Sequence, residues 1–125
     1  MGDYERAESF YLKCKEVQRK VLGKKHADYA TTLSNLATLY EDMGEYGQAE
    51  MLYLECKEVQ QKAIGTKHVH YARTLNNLAG LYNLMGDYER AEPLYSQSVA
   101  LYQNVYGEQH PDYAISLNNL SLIHI

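Results

Sequence analysis

The sequence predicts an all-α chain of about six helices, stacked as antiparallel pairs into a solenoid. Three observations carry that expectation. A 42-residue pattern repeats along the chain, apolar residues inside each copy fall at helical spacing, and glycines separate the helical stretches. No stretch alternates with the period of two that a half-buried strand would show.

Sliding the sequence against itself by 42 residues aligns Gly2, Gly44 and Gly86, then Tyr4, Tyr46 and Tyr88, then Ala7, Ala49 and Ala91. Further along, Gly23 meets Gly65 and Gly107, His26 meets His68 and His110, and Leu33 meets Leu75 and Leu117. Residues 2–43 and 44–85 are identical at 25 of 42 positions. A period between about 20 and 50 residues marks stacked supersecondary units. The expected organisation is one array, residues 1–125, of tiles 2–43, 44–85 and 86–125.

Each tile reads as two helices. The chain opens on a second helix, "GDYERAESFY", and then alternates first and second helices. The fourth helix is expected over 71–85, with Leu75, Leu78, Ala79 and Tyr82 three or four residues apart. Gly86 ends it in a left-handed conformation, and Asp87 caps the next helix. The fifth runs over 88–106, its stripe formed by Ala91, Leu94, Tyr95, Ser98, Leu101, Tyr102 and Val105, and Gly107 stops it. Pro111 suits the turn or first turn that opens a sixth, "YAISLNNLSLIHI". Its tail, 122–125, matches the repeat poorly and is expected to be disordered. Alanines at 7, 37, 49, 79 and 91 let helix axes approach, and tyrosines fill the grooves beside them.

The order Leu75, Leu78-Ala79, Tyr82, Gly86, Tyr88, Ala91, Tyr95 resembles the tetratricopeptide repeat motif, with leucine in the usual tryptophan position and 42 residues in place of about 34. The segments "TLNNLAGLY", "GDYERAEPLY" and "YGEQHPDYA" look like the longer repeats of kinesin light chains and related multi-repeat proteins. The resemblance covers essentially the whole chain. It implies a right-handed superhelix whose concave face is lined by first helices and binds a protein or peptide ligand. Carried over position by position, the implied contacts are Asn35, Asn77 and Asn119, with Ser34, Asn76 and Asn118 beside them. Thr38 and Gly80 lie one turn later, and Arg73 earlier. A side-chain amide both donates and accepts, so asparagine can bond an extended peptide backbone without demanding one sequence. Asparagine is also a poor mid-helix residue, so its recurrence needs a reason; bonding across the helix pair is the structural alternative.

Composition narrows the function classes. The chain has 125 residues, a formal charge of −4, 46% hydrophobic and 22% charged residues, and 13 tyrosines against one phenylalanine. It offers no basic field for a nucleic-acid backbone and no run long enough to span a bilayer. Cys14 and Cys56 form no CxxC, which favours a reducing, cytoplasmic setting. Their tile equivalent is Ser98, so a small packing role is expected. His26, His68 and His110 are separated by whole tiles and read as loop caps, not metal ligands. Glu8, Glu50 and Glu92 read as solvated helix surface or partners of nearby lysines. No nucleophile–base, metal, phosphate or cofactor motif converges, so the expected function is a protein-interaction scaffold without catalysis. A segment of a longer array that self-associates end to end through exposed apolar faces is the alternative.

Overall fold

The structure, a computed structural model, describes residues 2–21, 23, 26–63, 65, 68–106, 111, 114–115 and 117–119. Five helices follow one another: α1 (Gly2–Val21), α2 (Ala27–Asp42), α3 (Tyr46–Ala63), α4 (Val69–Leu84) and α5 (Tyr88–Tyr106). Pro111, Ala114, Ile115, Leu117, Asn118 and Asn119 also have helical backbone, within the predicted sixth helix. Gly107, His110 and 122–125 lie outside the described residues. Among the described residues there is no strand.

The chain divides into two compact units, Met1–Ile64 and Gly65–Ile125. In the first, α2 packs against both α1 and α3; in the second, α4 packs against α5. The buried face of α2 is Tyr29, Ala30, Leu33, Leu36, Ala37 and Tyr40, a run at helical spacing. On α4 the same face is Tyr71, Ala72, Leu75, Leu78, Ala79 and Tyr82. Of the alanines expected to let helix axes approach, Ala37, Ala49, Ala79 and Ala91 are fully buried and Ala7 is half-buried; Ala30 and Ala72 are fully buried as well. Each fully buried leucine on these faces contributes roughly 1.5–3 kcal/mol by leaving water.

The turn inside each tile is fixed by its glycine. Gly44 and Gly86 have φ of 79° and 78°, a left-handed conformation that a side chain would strain. That geometry lets the Gly86 amide donate to the Asn83 carbonyl (3.1 Å) and the Asp87 amide to the Tyr82 carbonyl (2.8 Å). Gly44 and Glu45 do the same towards Glu41 and Tyr40, at 3.0 and 2.8 Å. These paired bonds satisfy carbonyls that the helix end leaves open. Asp87 then caps α5, its Oδ1 accepting from the Arg90 amide at 3.3 Å.

Three expectations need correction. Helix α4 begins at Val69, two residues before the predicted start, because His68 caps it: its Nδ1 accepts from the His70 amide at 3.1 Å. His26 caps α2 in the same way, so the expected capping role of these histidines holds. Glu8 is not simply solvated surface, since it accepts from the Tyr40 hydroxyl at 2.7 Å. The tyrosines that open the second helices are not core: Tyr4 is 42% and Tyr88 55% exposed, whereas Tyr53 and Tyr95 are buried. Along the α5 stripe, Ala91, Tyr95, Ser98 and Tyr102 are buried and Val105 is exposed.

Candidate functional site

The sequence-predicted positions fall on one face of each first helix. On α2, Ser34 is half-buried and Asn35 and Thr38 are exposed; on α4, Asn76, Asn77 and Gly80 are half-buried and Arg73 is exposed. Spacings of three, four and seven residues keep each set on one side of its helix. Asn118 is exposed and Asn119 half-buried in the last helical stretch.

Two amides stand out. Asn35 and Asn77 occupy the same tile position, and among the described residues neither side-chain amide has a hydrogen-bond partner. Helix propensity and internal bonding therefore both leave their presence unexplained. Asn76, Arg73 and Asn118 do have partners. One of those at Arg73 is the His70 ring, 3.4 Å from the guanidinium.

Thr38 is more constrained than its exposure suggests. Its hydroxyl lies 3.0 Å from the Ser34 carbonyl, to which it donates, and 2.9 Å from the Tyr53 hydroxyl. A hydroxyl has one proton, so Tyr53 is the donor in the second bond. In the second unit, glycine replaces this threonine, and the Tyr95 hydroxyl lies 3.5 Å from where a Gly80 Cβ would stand. A tyrosine hydroxyl from the second helix thus reaches the face of the first helix in both units. Sequence reasoning placed these tyrosines only in the core; the apposition of two helices brings the hydroxyl out, and no local pattern announces it.

The electrostatics differ between the two faces. On α2, burial and then Asp42 raise the carboxyl pKa of Glu41, near the C-terminal end of the helix. Tyr53 is pushed up to about 12, first by burial, with Glu41 and Asp42 adding to it. On α4, the face begins with Arg73 and the stacked rings of His68 and His70, 4.9 Å apart. Burial, then His68 and Arg73, lower the His70 pKa.

A polar recess of the first unit, about 480 Å³, is lined by Leu12, Lys15, Glu16, Arg19, Tyr29 and Glu55. Its Glu55 carboxylate already accepts from the Tyr29 hydroxyl at 3.0 Å. Burial first, and this bond second, push Tyr29 up to about 12. Among the described residues, no group of three or more histidine, cysteine or acidic side chains could hold a metal ion. Cys56 is buried, and its thiol donates to the Ala30 carbonyl.

Comparison with known proteins agrees with the fold. The chain is similar in structure to BtubC (BKLC) from P. vanneervenii, with a TM-score of 0.91 and 26% identity, over 98% of this chain and 49% of that one. It is also similar to a protein of Podosopora anserina described as a putative kinesin light chain with nearly identical TPR-like repeats. Here the TM-score is 0.89 and the identity 23%, over 98% of this chain and 58% of that one, and a singly substituted form of that protein gives the same values. The chain thus spans about half the length of the solved structures it matches. No curated protein matches it. The tetratricopeptide repeat model matches residues 1–62, 32–104 and 70–125, which together run the length of the chain. The chain belongs to the tetratricopeptide repeat family.

Proposed function

We propose that the chain is a protein-interaction scaffold in which each unit offers an extended peptide the exposed face of its first helix, α2 in one and α4 in the other. Asn35 and Asn77 are the central contacts in this reading. The observation that carries it is their placement: identical tile positions, mid-helix, with amides that bond no other described residue. An amide so placed can donate to one peptide carbonyl and accept from one peptide N–H. On α2, Ser34 flanks Asn35, and Thr38 pairs with the Tyr53 hydroxyl; on α4, Asn76 and Arg73 flank Asn77, and Asn118 and Asn119 are the tile equivalents in the last helical stretch. Tetratricopeptide repeats generally serve as such scaffolds, and no enzymatic family is indicated.

No helix of the described residues is long and apolar enough to cross a membrane. Two free cysteines, one of them buried, fit a reducing cytoplasmic compartment, which completes the proposal.

The test is a peptide array followed by titration calorimetry of the best binder. Asn35→Ala and Asn77→Ala each remove one bidentate contact, so each should weaken binding roughly tenfold, the loss of one or two hydrogen bonds of about 1 kcal/mol. Helicity should not change. Binders whose affinity ignores both substitutions would place the site elsewhere.

A further inference from the structure

The repeat separates what the fold needs from what it does not. The polar recess of about 480 Å³ lies wholly within the first unit, with Tyr29 of α2 at its floor. One wall is the α1 run Leu12, Lys15, Glu16 and Arg19, and the other is Glu55 of α3. The exposure of the α1 wall is that of its tile position. Leu12 is 43% and Leu54 42% exposed, Lys15 and Lys57 are both half-buried, and Glu16 and Glu58 are both exposed.

Two charges of this recess do not recur. Leu12, Lys15, Glu16 and Tyr29 return as Leu54, Lys57, Glu58 and Tyr71, but Arg19 is matched by Gln61 and Gln103, and Glu55 by Lys13 and Gln97. A neutral glutamine suffices for the fold at both positions. Yet Arg19 and Glu55, opposite in sign and from different tiles, line one recess.

They do not neutralise each other. Among the described residues Lys15 and Arg19 make no ion pair, and Glu16 pairs with Lys20 at 3.5 Å. The Glu55 carboxylate accepts from the buried Tyr29 hydroxyl at 3.0 Å, which holds it on its wall. Burial first, and then Glu55, raise the Tyr29 pKa while Arg19 opposes them, so both charges act on one hydroxyl. Lys15 and Arg19 also stand four residues apart on α1, a like-charge spacing that destabilises a helix and that an anion between them relieves.

We propose that this recess binds a small zwitterion, an α-amino acid with an aliphatic side chain. Its carboxylate meets Lys15 and Arg19, its ammonium donates to Glu55, and its side chain lies against Leu12. A carboxylate can accept several hydrogen bonds, so Glu55 keeps Tyr29 while it holds the ammonium. The site shares no residue with the peptide contacts of α2 and α4 and does not depend on that reading.

Titration calorimetry and ligand-observed NMR with L-leucine test it on residues 1–125. The chain should bind L-leucine and should reject N-acetyl-L-leucine, which lacks the ammonium, and L-leucinamide, which lacks the carboxylate. Arg19→Gln and Glu55→Gln each install the glutamine that another tile already carries, so circular dichroism should show unchanged helicity. Each should weaken L-leucine binding roughly tenfold or more through the loss of a charge-assisted contact. Asn77→Ala should leave it unchanged. Absence of L-leucine binding would overturn the proposal, as would equal binding of either blocked derivative or an affinity indifferent to both glutamine variants. So would a double-mutant cycle on stability, without L-leucine, that couples Arg19 to Glu55, because the two charges would then satisfy each other. Should Glu55→Gln lose helicity, Arg19→Gln and the two derivatives still decide the outcome.

Discussion

The Cys56 thiol of α3 donates to the Ala30 carbonyl of α2 at 3.2 Å, and one tile later the Ser98 hydroxyl makes the same bond to Ala72 at 3.0 Å. Both side chains are fully buried. The position therefore requires a small side chain that carries a proton donor. Cys56→Ser should leave the melting temperature nearly unchanged. Cys56→Ala removes the donor and some volume and should destabilise by about 1 kcal/mol. Cys56→Val removes the donor and adds bulk, so it should cost roughly 1–3 kcal/mol. Denaturant melts of the three variants check the order.

Glycine to alanine should act with opposite sign at Gly80 and Gly86. Gly80 lies within α4 with only the Tyr95 hydroxyl near its missing Cβ, at an ordinary 3.5 Å. Gly80→Ala should stabilise by roughly 0.5–1 kcal/mol through helix propensity. Gly86 has open space around it but a φ of 78°. Gly86→Ala should destabilise by about 1 kcal/mol or more from backbone strain alone. Thermal melts that moved the same way for both would contradict the turn geometry.

Alkali should unfold the first unit for a definable reason. Tyr29, Tyr40 and Tyr53 are each pushed from 10.0 up to about 12, burial being the largest cause. A pKa raised on folding means the unfolded chain gives up its proton first. The stability they contribute is thus complete below pH 10 and is lost as pH rises towards 12. Tyrosinate absorbance from these three should grow together with the loss of helicity. Tyr40→Phe, which removes the bond to Glu8, should make the alkaline step shallower.

Acid should act on the start of α4. The His70 pKa is lowered from 6.5 by burial, then by His68 and Arg73. A lowered pKa means the unfolded chain takes up the proton first, so this contribution is present above pH 6.5 and is lost as pH falls through the lower folded value. Melting temperature should fall over that window, and His70→Gln should flatten the dependence. Separately, His68→Ala should cost about 1 kcal/mol at neutral pH, since the α4 cap loses its acceptor.

What was legible in the sequence was whatever repeats locally. Helix α5 was expected over 88–106 and runs Tyr88–Tyr106, because a glycine and an aspartate mark its start and an apolar stripe its length. The left-handed Gly86 and the Asp87 cap were legible for the same reason. The histidine caps were legible only as caps of the loop, since a ring nitrogen at N-cap is not among the preferred signals. Bonds such as Tyr40 to Glu8 and Thr38 to Tyr53 join residues 32 and 15 positions apart. Such pairings depend on how two helices meet. The candidate face came from the resemblance to tetratricopeptide repeats, and the tyrosine hydroxyls that reach it came from neither that resemblance nor the spacing.

The near identity of the tiles also bears on how the chain reaches its fold. Tyr29, Ala30, Leu33, Leu36 and Ala37 on α2 recur as Tyr71, Ala72, Leu75, Leu78 and Ala79 on α4. A collapsing chain meets two surfaces that shape alone does not distinguish, so α5 can seat on α2 nearly as well as on α4. Refolding then includes a search among look-alike partners, and chains that choose wrongly must open before they can correct. Individual bonds such as Tyr29 to Glu55, with no charged counterpart at the matching Gln97, give the native pairing its small advantage.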